Sequence, residues 1–171
     1  MRICLRPIEK EDAELIVKWR NDPKVAAHCF NKQPITVEAH NAFYKANIET
    51  GKYLQFIVEK IEEDFGVVSY PIATVYLKDM DINNRKCELC IFTSSDSEWN
   101  TDSQSIAIKM LLEKAFDELK MHKVYSYVFY KFLDEAELLK SAGFSTEAIL
   151  KDEAIDENGK FTDIVRFSII K

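Results

Sequence analysis

Apolar residues recur at intervals of three or four positions in two stretches of the chain, a pattern typical of amphipathic helices. In the first stretch, Leu15, Ile16 and Trp19 share one helical face, and Pro23 bars an easy continuation of this helix. In the second stretch, the apolar positions from Ser103 to Leu119 keep the helical period throughout. Both patterns predict helices that bury one face against a core.

Two shorter helices are predicted from their terminal residues. Thr36 is of a type that caps helix amino termini, and the amphipathic segment behind it runs to about Ile48. A helix from Asp134 to Ser141 is expected to end before Gly143, because glycine tolerates the left-handed conformation common just past helix ends. The sequence therefore predicts about four helices.

Short runs of β-branched and aromatic residues between polar turns predict strands. The Asp-Glu-Asn-Gly sequence at 156–159 is expected to join the last two strands as a hairpin, since Asn and Gly tolerate positive φ. The predicted strands are Arg2 to Ile8, Leu54 to Glu59, Ile72 to Leu77, Cys87 to Thr93, Lys123 to Phe129, an extended segment from Phe144 to the turn, and Phe161 to Ile170. The order β-α-α-β-β-β-α-β-α-β-β predicts a single α/β (α+β) domain over residues 1–171.

Composition argues against several classes of function. The chain has 171 residues, a net charge of −6 and a sequence pI near 5.2, and its Lys and Arg residues form no phosphate-binding stripe. Nucleic acid is therefore not an expected partner. No apolar run approaches the roughly 18 residues of a membrane span, and the amino terminus does not resemble a signal peptide. We expect a cytoplasmic protein with no membrane partner.

The cysteine residues do not predict a metal site. Cys87 and Cys90 have CxxC spacing, but they fall on a predicted strand, where positions i and i+3 point to opposite faces. No second pair of Cys or His residues follows to complete a tetrahedral set. We therefore expect no metal, and buried free thiols in a reducing compartment.

Several segments of the chain match the sequence pattern of a known protein family. Residues 5–13 read Leu-Arg-Pro-Ile-Glu-Lys-Glu-Asp-Ala, residues 19–23 read Trp-Arg-Asn-Asp-Pro, and residues 115–124 and 141–144 strengthen the match. Over essentially its whole length the sequence resembles the acetyl-CoA-dependent N-acetyltransferases of the GNAT superfamily, in the branch of ribosomal-protein N-terminal acetyltransferases. The resemblance implies a mixed, mostly antiparallel sheet of about seven strands flanked by about four helices, with acetyl-CoA as co-substrate.

Within that branch, the acceptor side is similar to enzymes that acetylate an amino group on nucleotide-linked sugars. The similarity lies in the Trp-Arg-Asn sequence at 19–21 and in the segment 35–40. It implies that Trp19, Arg20, Asn21 and Tyr44 bind the acceptor, where the first two helices cover the sheet. A simpler alternative stays open, in which Trp19 packs the first helix on the sheet and His40 is a surface or cap residue.

In this family a gap between the fourth and fifth strands admits the pantetheine arm of coenzyme A, and the amine attacks the thioester directly. The reaction needs an acceptor for the amine's proton and donors for the developing oxyanion. By its position on the fourth strand, Glu88 is the first candidate for the base, and His40 is the second because an imidazole titrates near neutral pH. The family's usual thiolate-protonating Tyr falls at Leu139, so Tyr130 is the candidate for that role.

The loop before the long helix departs from the family pattern. The branch usually has two glycines there, which let backbone N–H groups approach the pyrophosphate. Asn100 and Asp102 replace them, and Thr101 with Gln104 fits a capping box that would satisfy the helix's own donors. The residues expected to contact coenzyme A are Ile91, Phe92, Thr93, Trp99, Asn100, Thr101, Asp102, Ser103, Gln104, Ser105 and Phe132.

Two functions from different classes follow from these observations. The first is an N-acetyltransferase acting on the primary amine of a small molecule or of a nucleotide-linked amino sugar. The second is a degenerate binding or regulatory module with weak or no coenzyme A binding, and protein N-terminal acetylation is a further alternative. The segment Phe161 to Ile170 is the candidate for an open edge strand. Such an edge either pairs across a homodimer or is simply covered or charged, and both alternatives stay open.

Overall fold

In a computed structural model, which describes residues 1–64, 66–91 and 93–171, the chain folds around one seven-stranded sheet. All seven predicted strands are present. The second and third are longer than predicted, and the fourth ends three residues before the predicted end at Thr93. The strands are β1 (Arg2–Pro7), β2 (Leu54–Glu62), β3 (Val68–Asp81), β4 (Lys86–Cys90), β5 (Lys123–Phe129), β6 (Ser145–Ile155) and β7 (Phe161–Ile170).

In the described part of the chain five α-helices flank the sheet, one more than predicted. Two of them, α3 and α4, each continue into a π-helical turn, over Tyr44–Ile48 and Lys114–Glu118. Within the described ranges, no helix is long and apolar enough to cross a membrane. The helices are α1 (Ala13–Arg20), α2 (Pro23–Ala26), α3 (Val37–Phe43), α4 (Thr101–Glu113) and α5 (Leu133–Ser141).

The short helix α2 is the element that the sequence pattern misses. Pro23 does end α1, but it also occupies the first turn of α2, where its missing N–H costs no hydrogen bond. The side chain of Asp22 caps this turn by accepting a hydrogen bond of 2.8 Å from the backbone N–H of Lys24. The proline therefore begins a new helix instead of opening a loop.

The strand order in the sheet is β1-β2-β3-β4-β5-β7-β6. Strands β4 and β5 run parallel, and the other described neighbours are antiparallel. Strand β7 lies between β5 and β6, so the prediction of an open edge at Phe161 to Ile170 is wrong. The reason is burial, since Ile164, Val165 and Phe167 of β7 are buried whereas β6 is mostly exposed and takes the edge.

Each face of the sheet is covered by helices that the apolar patterns predict. On one face, Ile108 and Leu111 of α4 belong to the main core with strand residues such as Val58. On the other face, Trp19 of α1 packs in a separate cluster that includes Ile57. Adjacent strand residues point to opposite faces, so β2 contributes to both cores. Full burial of each such side chain contributes about 1.5–3 kcal/mol to folding.

The predicted hairpin between β6 and β7 is confirmed. Gly159 has a φ of 75°, and the side chain of Asp156 accepts hydrogen bonds from the backbone N–H groups of Asn158 and Lys160 at 2.8 and 3.0 Å. Within the turn at 156–159, Gly159 alone has a positive φ. The hairpin pairs β7 with β6, and on its other side β7 pairs with β5, one of the two parallel strands on which the candidate site is built.

Candidate active site

The parallel strands β4 and β5 pair along only a short register, from Lys86 with Lys123 to Glu88 with Tyr125. Past this point the carbonyl of Leu89 accepts a hydrogen bond of 2.8 Å from the buried Ser126 hydroxyl. This side-chain bond is a contact between the two strands beyond their last paired residues, and the described parts of the strands do not pair further. The gap that the family resemblance implies is therefore present, and it leaves the edge of β4 open to an extended ligand.

A cavity of about 500 Å³ lies at this separation. Strands β2 to β5 form its floor, and α1, α3 and the segment between α2 and α3 supply the remaining walls. Its volume is in the range of roughly 300–1,000 Å³ that small-molecule sites occupy. The predicted site residues that line it are Arg20, His40, Glu88, Ile91 and Thr93.

Glu88 is buried at 6% exposure on β4. One of its carboxylate oxygens lies 3.5 Å from Nζ of Lys78, and the other accepts a hydrogen bond of 3.4 Å from the Cys90 thiol. Burial raises the pKa of Glu88 above its ordinary value, and Lys78 offsets only part of that rise. The carboxyl group therefore keeps its proton to a higher pH than an exposed glutamate does, as suits a group that exchanges protons near neutral pH.

Cys90 is close to the same carboxylate but is not a candidate nucleophile. Burial, together with the negative charge of Glu88, raises the pKa of the Cys90 thiol well above its ordinary value. The reactive form of cysteine is the thiolate, so this sulfur stays protonated and inert. The cavity chemistry thus favours direct attack by an amine over a covalent acyl-cysteine intermediate.

His40 is buried at 4% exposure on α3, and it lines the cavity. Its Nε2 atom is buried and has no hydrogen-bond partner within the described part of the chain. Burial lowers the pKa of His40, and the nearby Asp12 carboxylate only partly opposes this change. At neutral pH the ring is therefore uncharged, and the alternative in which His40 is a surface or cap residue is wrong.

Arg20 at the end of α1 is one of the residues that line the cavity. Nη2 donates a hydrogen bond to the carbonyl oxygen of Asn31, which ties the segment before α3 to α1. Nη1 is buried, and no residue in the described ranges accepts a hydrogen bond from it. Of the two terminal nitrogens of Arg20, one therefore has a hydrogen-bond partner in the described part of the chain and the other has none.

The other three predicted acceptor residues do not line the cavity. Trp19 is buried in the cluster that packs α1 on the sheet, as the simpler alternative states. The side-chain amide of Asn21 donates to the carbonyl of Ile35 and accepts from its N–H, both at 2.8 Å. Tyr44 packs against the Trp19 cluster. These residues hold α1 and α3 in place around the cavity without forming its surface.

Several cavity residues were missed by the sequence reasoning. Gln55 and Thr74 are buried in the cavity floor, where Gln55 Nε2 donates to Thr74 Oγ1 at 3.0 Å. Lys78 faces Glu88 from the neighbouring strand β3. The signal that would have found Gln55 and Thr74 is a polar residue inside an otherwise apolar strand, because a buried polar side chain needs a partner or a ligand.

Two tyrosines at the end of β5 differ in position. Tyr127 lines the cavity, and its hydroxyl oxygen accepts a hydrogen bond of 2.9 Å from Nη1 of Arg166. Tyr130, the predicted proton donor, is 54% exposed and does not line the cavity. Tyr127 therefore lies at the cavity surface, where the predicted proton donor Tyr130 was expected. The sequence reasoning did not select Tyr127.

A second cavity of about 330 Å³ adjoins the amino terminus of α4. Val25 and His28 line both cavities, so the two are adjacent, and we refer to them together as the groove. Phe132, a predicted coenzyme A contact, stacks on His28 with ring centroids 3.9 Å apart. Three carboxyl groups line this second cavity, those of Asp96, Asp134 and Glu135. The cations in the lining are Lys24 and, when it is protonated, His28, which pairs with Glu135.

The capping box at the start of α4 is present, but its members differ from those predicted. Asn100 is the N-cap, and its side-chain oxygen accepts hydrogen bonds from the backbone N–H groups of Asp102 and Ser103. In return, the Ser103 hydroxyl accepts from the Asn100 N–H at 3.0 Å. The prediction of a Thr101 and Gln104 box is wrong, because Asn100 is extended and asparagine caps helices at least as well as threonine.

The remaining loop residues are held by bonds within the loop. Trp99 is buried and its Nε1 donates to the carbonyl of Ile91 at 3.1 Å, while Gln104 Nε2 donates to the Trp99 carbonyl at the same distance. The Ser105 hydroxyl donates to the Thr101 carbonyl at 2.7 Å. Trp99, Thr101 and Gln104 line the smaller cavity. Phe92 lies outside the described residues.

The two ends of the groove fit coenzyme A unequally. The gap between β4 and β5 offers an open strand edge that suits the pantetheine arm. At the start of α4, the N–H groups of Asp102 and Ser103 already bond to Asn100, and the exposed Asp102 adds a negative charge. Phosphate oxygens need free N–H donors there, so the Asn100 side chain must move or the pyrophosphate must lie elsewhere in the groove.

Comparison with known proteins agrees with this geometry. The spermidine N(1)-acetyltransferase of Vibrio cholerae is 22% identical over 170 residues, which cover 99% of this chain and 94% of that protein. The acetyltransferase PseH of Campylobacter jejuni is 25% identical over 122 residues, covering 71% and 69%. The solved structure of the Vibrio cholerae spermidine N-acetyltransferase with CoA and spermine has a TM-score of 0.86 and 23% identity, covering 98% of this chain and 95% of that one.

The family model described as "Acetyltransferase (GNAT) domain" matches residues 2–145. This match spans the strands and helices from β1 to the start of β6, and so includes both cavities and the separation of β4 from β5. The chain therefore belongs to the GNAT acetyltransferase family.

Proposed function

We propose that this protein transfers the acetyl group of acetyl-CoA to the primary amine of a small molecule, with Glu88 as the general base. The N-acetyltransferase activity and the acetyl-CoA co-substrate follow from the family. The observation that supports the assignment of the base is the buried Glu88 carboxyl group in the cavity, at the last paired residue before β4 and β5 separate. No other carboxylate lines this cavity among the described residues.

In the proposed reaction the amine nitrogen attacks the carbonyl carbon of the thioester. The new N–C bond forms, the C–S bond breaks, and the proton that the amine must lose passes to Glu88, directly or through one water molecule. The raised pKa of Glu88 matches this role because the ionised carboxylate is a stronger base than an exposed glutamate. Lys78, which stays cationic, stabilises the ionised form of this carboxyl group before the amine's proton arrives.

The departing thiolate needs a proton. Of the tyrosines that line the cavity, which are Tyr53, Tyr76 and Tyr127, we assign this role to Tyr127 because it lies on β5, a strand that borders the gap. Its oxygen accepts a hydrogen bond from Arg166, which leaves the hydroxyl's own proton available to a second group. The exposure of Tyr130 makes it a weaker candidate. Water is an alternative donor, so we expect Tyr127 to assist the reaction without being indispensable.

The acceptor is a small amine. The relatives named spermidine N(1)-acetyltransferases support this class, as does a cavity of about 500 Å³. A nucleotide-linked amino sugar belongs to the same class and is the acceptor suggested by the similarity of residues 19–21 and 35–40. The remaining alternative, a protein amino terminus, has no observation in its favour.

A second candidate function rests on a specific observation at α4. The helix satisfies its own first N–H groups through Asn100, and carboxyl groups outnumber cations in the smaller cavity. A binding or regulatory module that no longer holds coenzyme A would show the same features. Calorimetric titration with acetyl-CoA separates the two functions. Saturable binding supports the enzyme, whereas no heat at millimolar acetyl-CoA and no thermal stabilisation overturn it.

A further inference from the structure

We propose that Arg20 and His40 form a recognition subsite for an acidic group on the acceptor, so that the substrate is an amine that also carries a carboxylate or a phosphate. The inference rests on the proposed function, because it names the substrate class of the same cavity. It goes beyond that function by predicting that charge at the far end of the amine decides which amines are used.

The first step of the argument is the unsatisfied guanidinium of Arg20. One of its terminal nitrogens is anchored on the Asn31 carbonyl, which fixes the orientation of the planar group. The other, Nη1, is buried and has no acceptor in the described part of the chain. A buried charged donor without a partner is costly, and native proteins keep such groups where a ligand completes them. An acid oxygen is the strongest acceptor available to a guanidinium.

The second step is an independent observation on His40, whose Nε2 atom has no hydrogen-bond partner among the described residues. Its side chain is 96% buried, lines the same cavity as Arg20, and leaves Nε2 unpaired among the described residues. The lowered pKa means that the ring is neutral and can donate one N–H without adding a second full charge. Two residues of the lining, one on α1 and one on α3, therefore each carry a buried nitrogen that lacks the oxygen acceptor an acid group would supply.

The third step is the charge balance of the cavity lining. Among the described lining residues the charged groups are Arg20, Lys78 and, when it is ionised, Glu88, while the imidazole of His28 pairs with Glu135 outside this cavity. Lys78 and Glu88 compensate each other at 3.5 Å. Arg20 then leaves the lining with one excess positive charge. The nearby Asp12 does not cancel it, because both of its carboxylate oxygens are bonded to Arg6 at 2.9 Å.

This balance argues against a polycationic acceptor. A polyamine places a second ammonium group in the cavity when its first one approaches Glu88, and that group meets Arg20 without any carboxylate to pair with. An amine that carries an acid group instead places opposite charge at each end of the cavity. The acetyl acceptor therefore differs in charge from spermidine, the substrate for which several relatives are named.

The test uses three amines of one chain length that differ only at the far end: butylamine, putrescine and γ-aminobutyrate, with neutral, cationic and anionic ends. Each is titrated by calorimetry into the protein saturated with coenzyme A, and the set is repeated with longer chains. We expect γ-aminobutyrate or its longer analogue to bind about tenfold or more tightly than the matched alkylamine, and the diamine to bind most weakly. Acetyl transfer to the same compounds should follow the same order.

The matched variants are Arg20→Gln and, as the control, Arg2→Gln, which removes an exposed arginine far from the cavity lining. Arg20→Gln should bring the affinity ratio of acid to alkylamine close to one, and Arg2→Gln should leave the ratio unchanged. If Arg20→Gln does not fold, the order of the three amines on the unaltered protein decides alone.

The outcomes separate the inference from the function on which it rests. Equal or tighter binding of putrescine, an unchanged ratio in Arg20→Gln, or no binding by any of the amines overturns the subsite. In the first two cases acetyl transfer to amines still supports the proposed function. If coenzyme A itself does not bind, the proposed function fails, and titration of the amines into the free protein still tests the subsite.

Discussion

Lys78 Nζ lies 3.5 Å from a carboxylate oxygen of Glu88, and the two side chains come from adjacent strands that pair at this position. Burial works to lower the pKa of Lys78, but the negative charges of the neighbouring Glu88 and Asp79 oppose this change and the pKa is raised. Lys78 therefore stays cationic, and Glu88 keeps a raised pKa beside it. The pair holds a proton-exchanging carboxyl group at the edge of the gap.

Glu88→Gln should lower kcat by about 100-fold or more, because the amide has a similar size but cannot accept the amine's proton. The activity of the unaltered protein should fall on the acid side with an apparent pKa above that of an ordinary glutamate, since burial raises the pKa of Glu88. The variant should lose this acid limb. Initial rates of thiol release across pH measure both effects.

The control for this substitution is Glu153→Gln, which changes an exposed glutamate on β6. It should leave the rate and the pH profile as they are. A Glu88→Gln protein that remains folded and retains the acid limb would show that another group takes the proton, with His40 as the next candidate.

Tyr127→Phe should lower kcat by about 10- to 100-fold with little change in KM, because the phenol is proposed to protonate the leaving thiolate. Tyr130→Phe is the matched control, since Tyr130 lies three residues further along and is exposed. Equal effects of the two substitutions, or no effect of either, would remove Tyr127 from the mechanism. Steady-state kinetics with acetyl-CoA distinguish these results.

Asp102→Asn should tighten the binding of acetyl-CoA by about three- to tenfold, because it removes a negative charge next to the phosphates while keeping the size of the side chain. Asp117→Asn, at the far end of the same helical segment, should have no effect on affinity. Calorimetry gives both dissociation constants. An unchanged affinity in Asp102→Asn would place the pyrophosphate away from the start of α4.

His40 should make the protein less stable as the pH falls. Its pKa in the folded state lies below the ordinary value of 6.5. Below that value the unfolded chain takes up a proton that the folded protein refuses, so the free energy of unfolding decreases until the lowered pKa is reached. His40→Gln should show a smaller loss of melting temperature between neutral and mildly acidic pH. A parallel loss in both proteins would mean that His40 is not the group responsible.

The fold was predictable because its determinants are local. The apolar run of β2 follows from burial on both faces and the helical period of α4 from burial of one face, and both elements form where the pattern indicates. The position of β7 inside the sheet was not predictable in this way. Strand order depends on which strand buries more apolar surface, and β6 and β7 both read as strands of similar length.

The candidate site was only partly predictable. Glu88 and Arg20 were selected by their place in a family pattern, and both line the cavity. Tyr127, Lys78 and Gln55 were missed because their roles depend on neighbours that are distant in sequence, such as Arg166 for Tyr127. The exact cap of α4 was missed for another reason, since Asn100 and Thr101 are both good cap residues and the backbone conformation chooses between them.

The most direct test of the account is to incubate the purified protein with acetyl-CoA and a set of primary amines, and to analyse the products by mass spectrometry. The account predicts N-acetylated product from at least one small amine, formed with an equal amount of free coenzyme A and abolished in Glu88→Gln. Binding of acetyl-CoA without any acetylated product, or product formation at the same rate in Glu88→Gln, would contradict it.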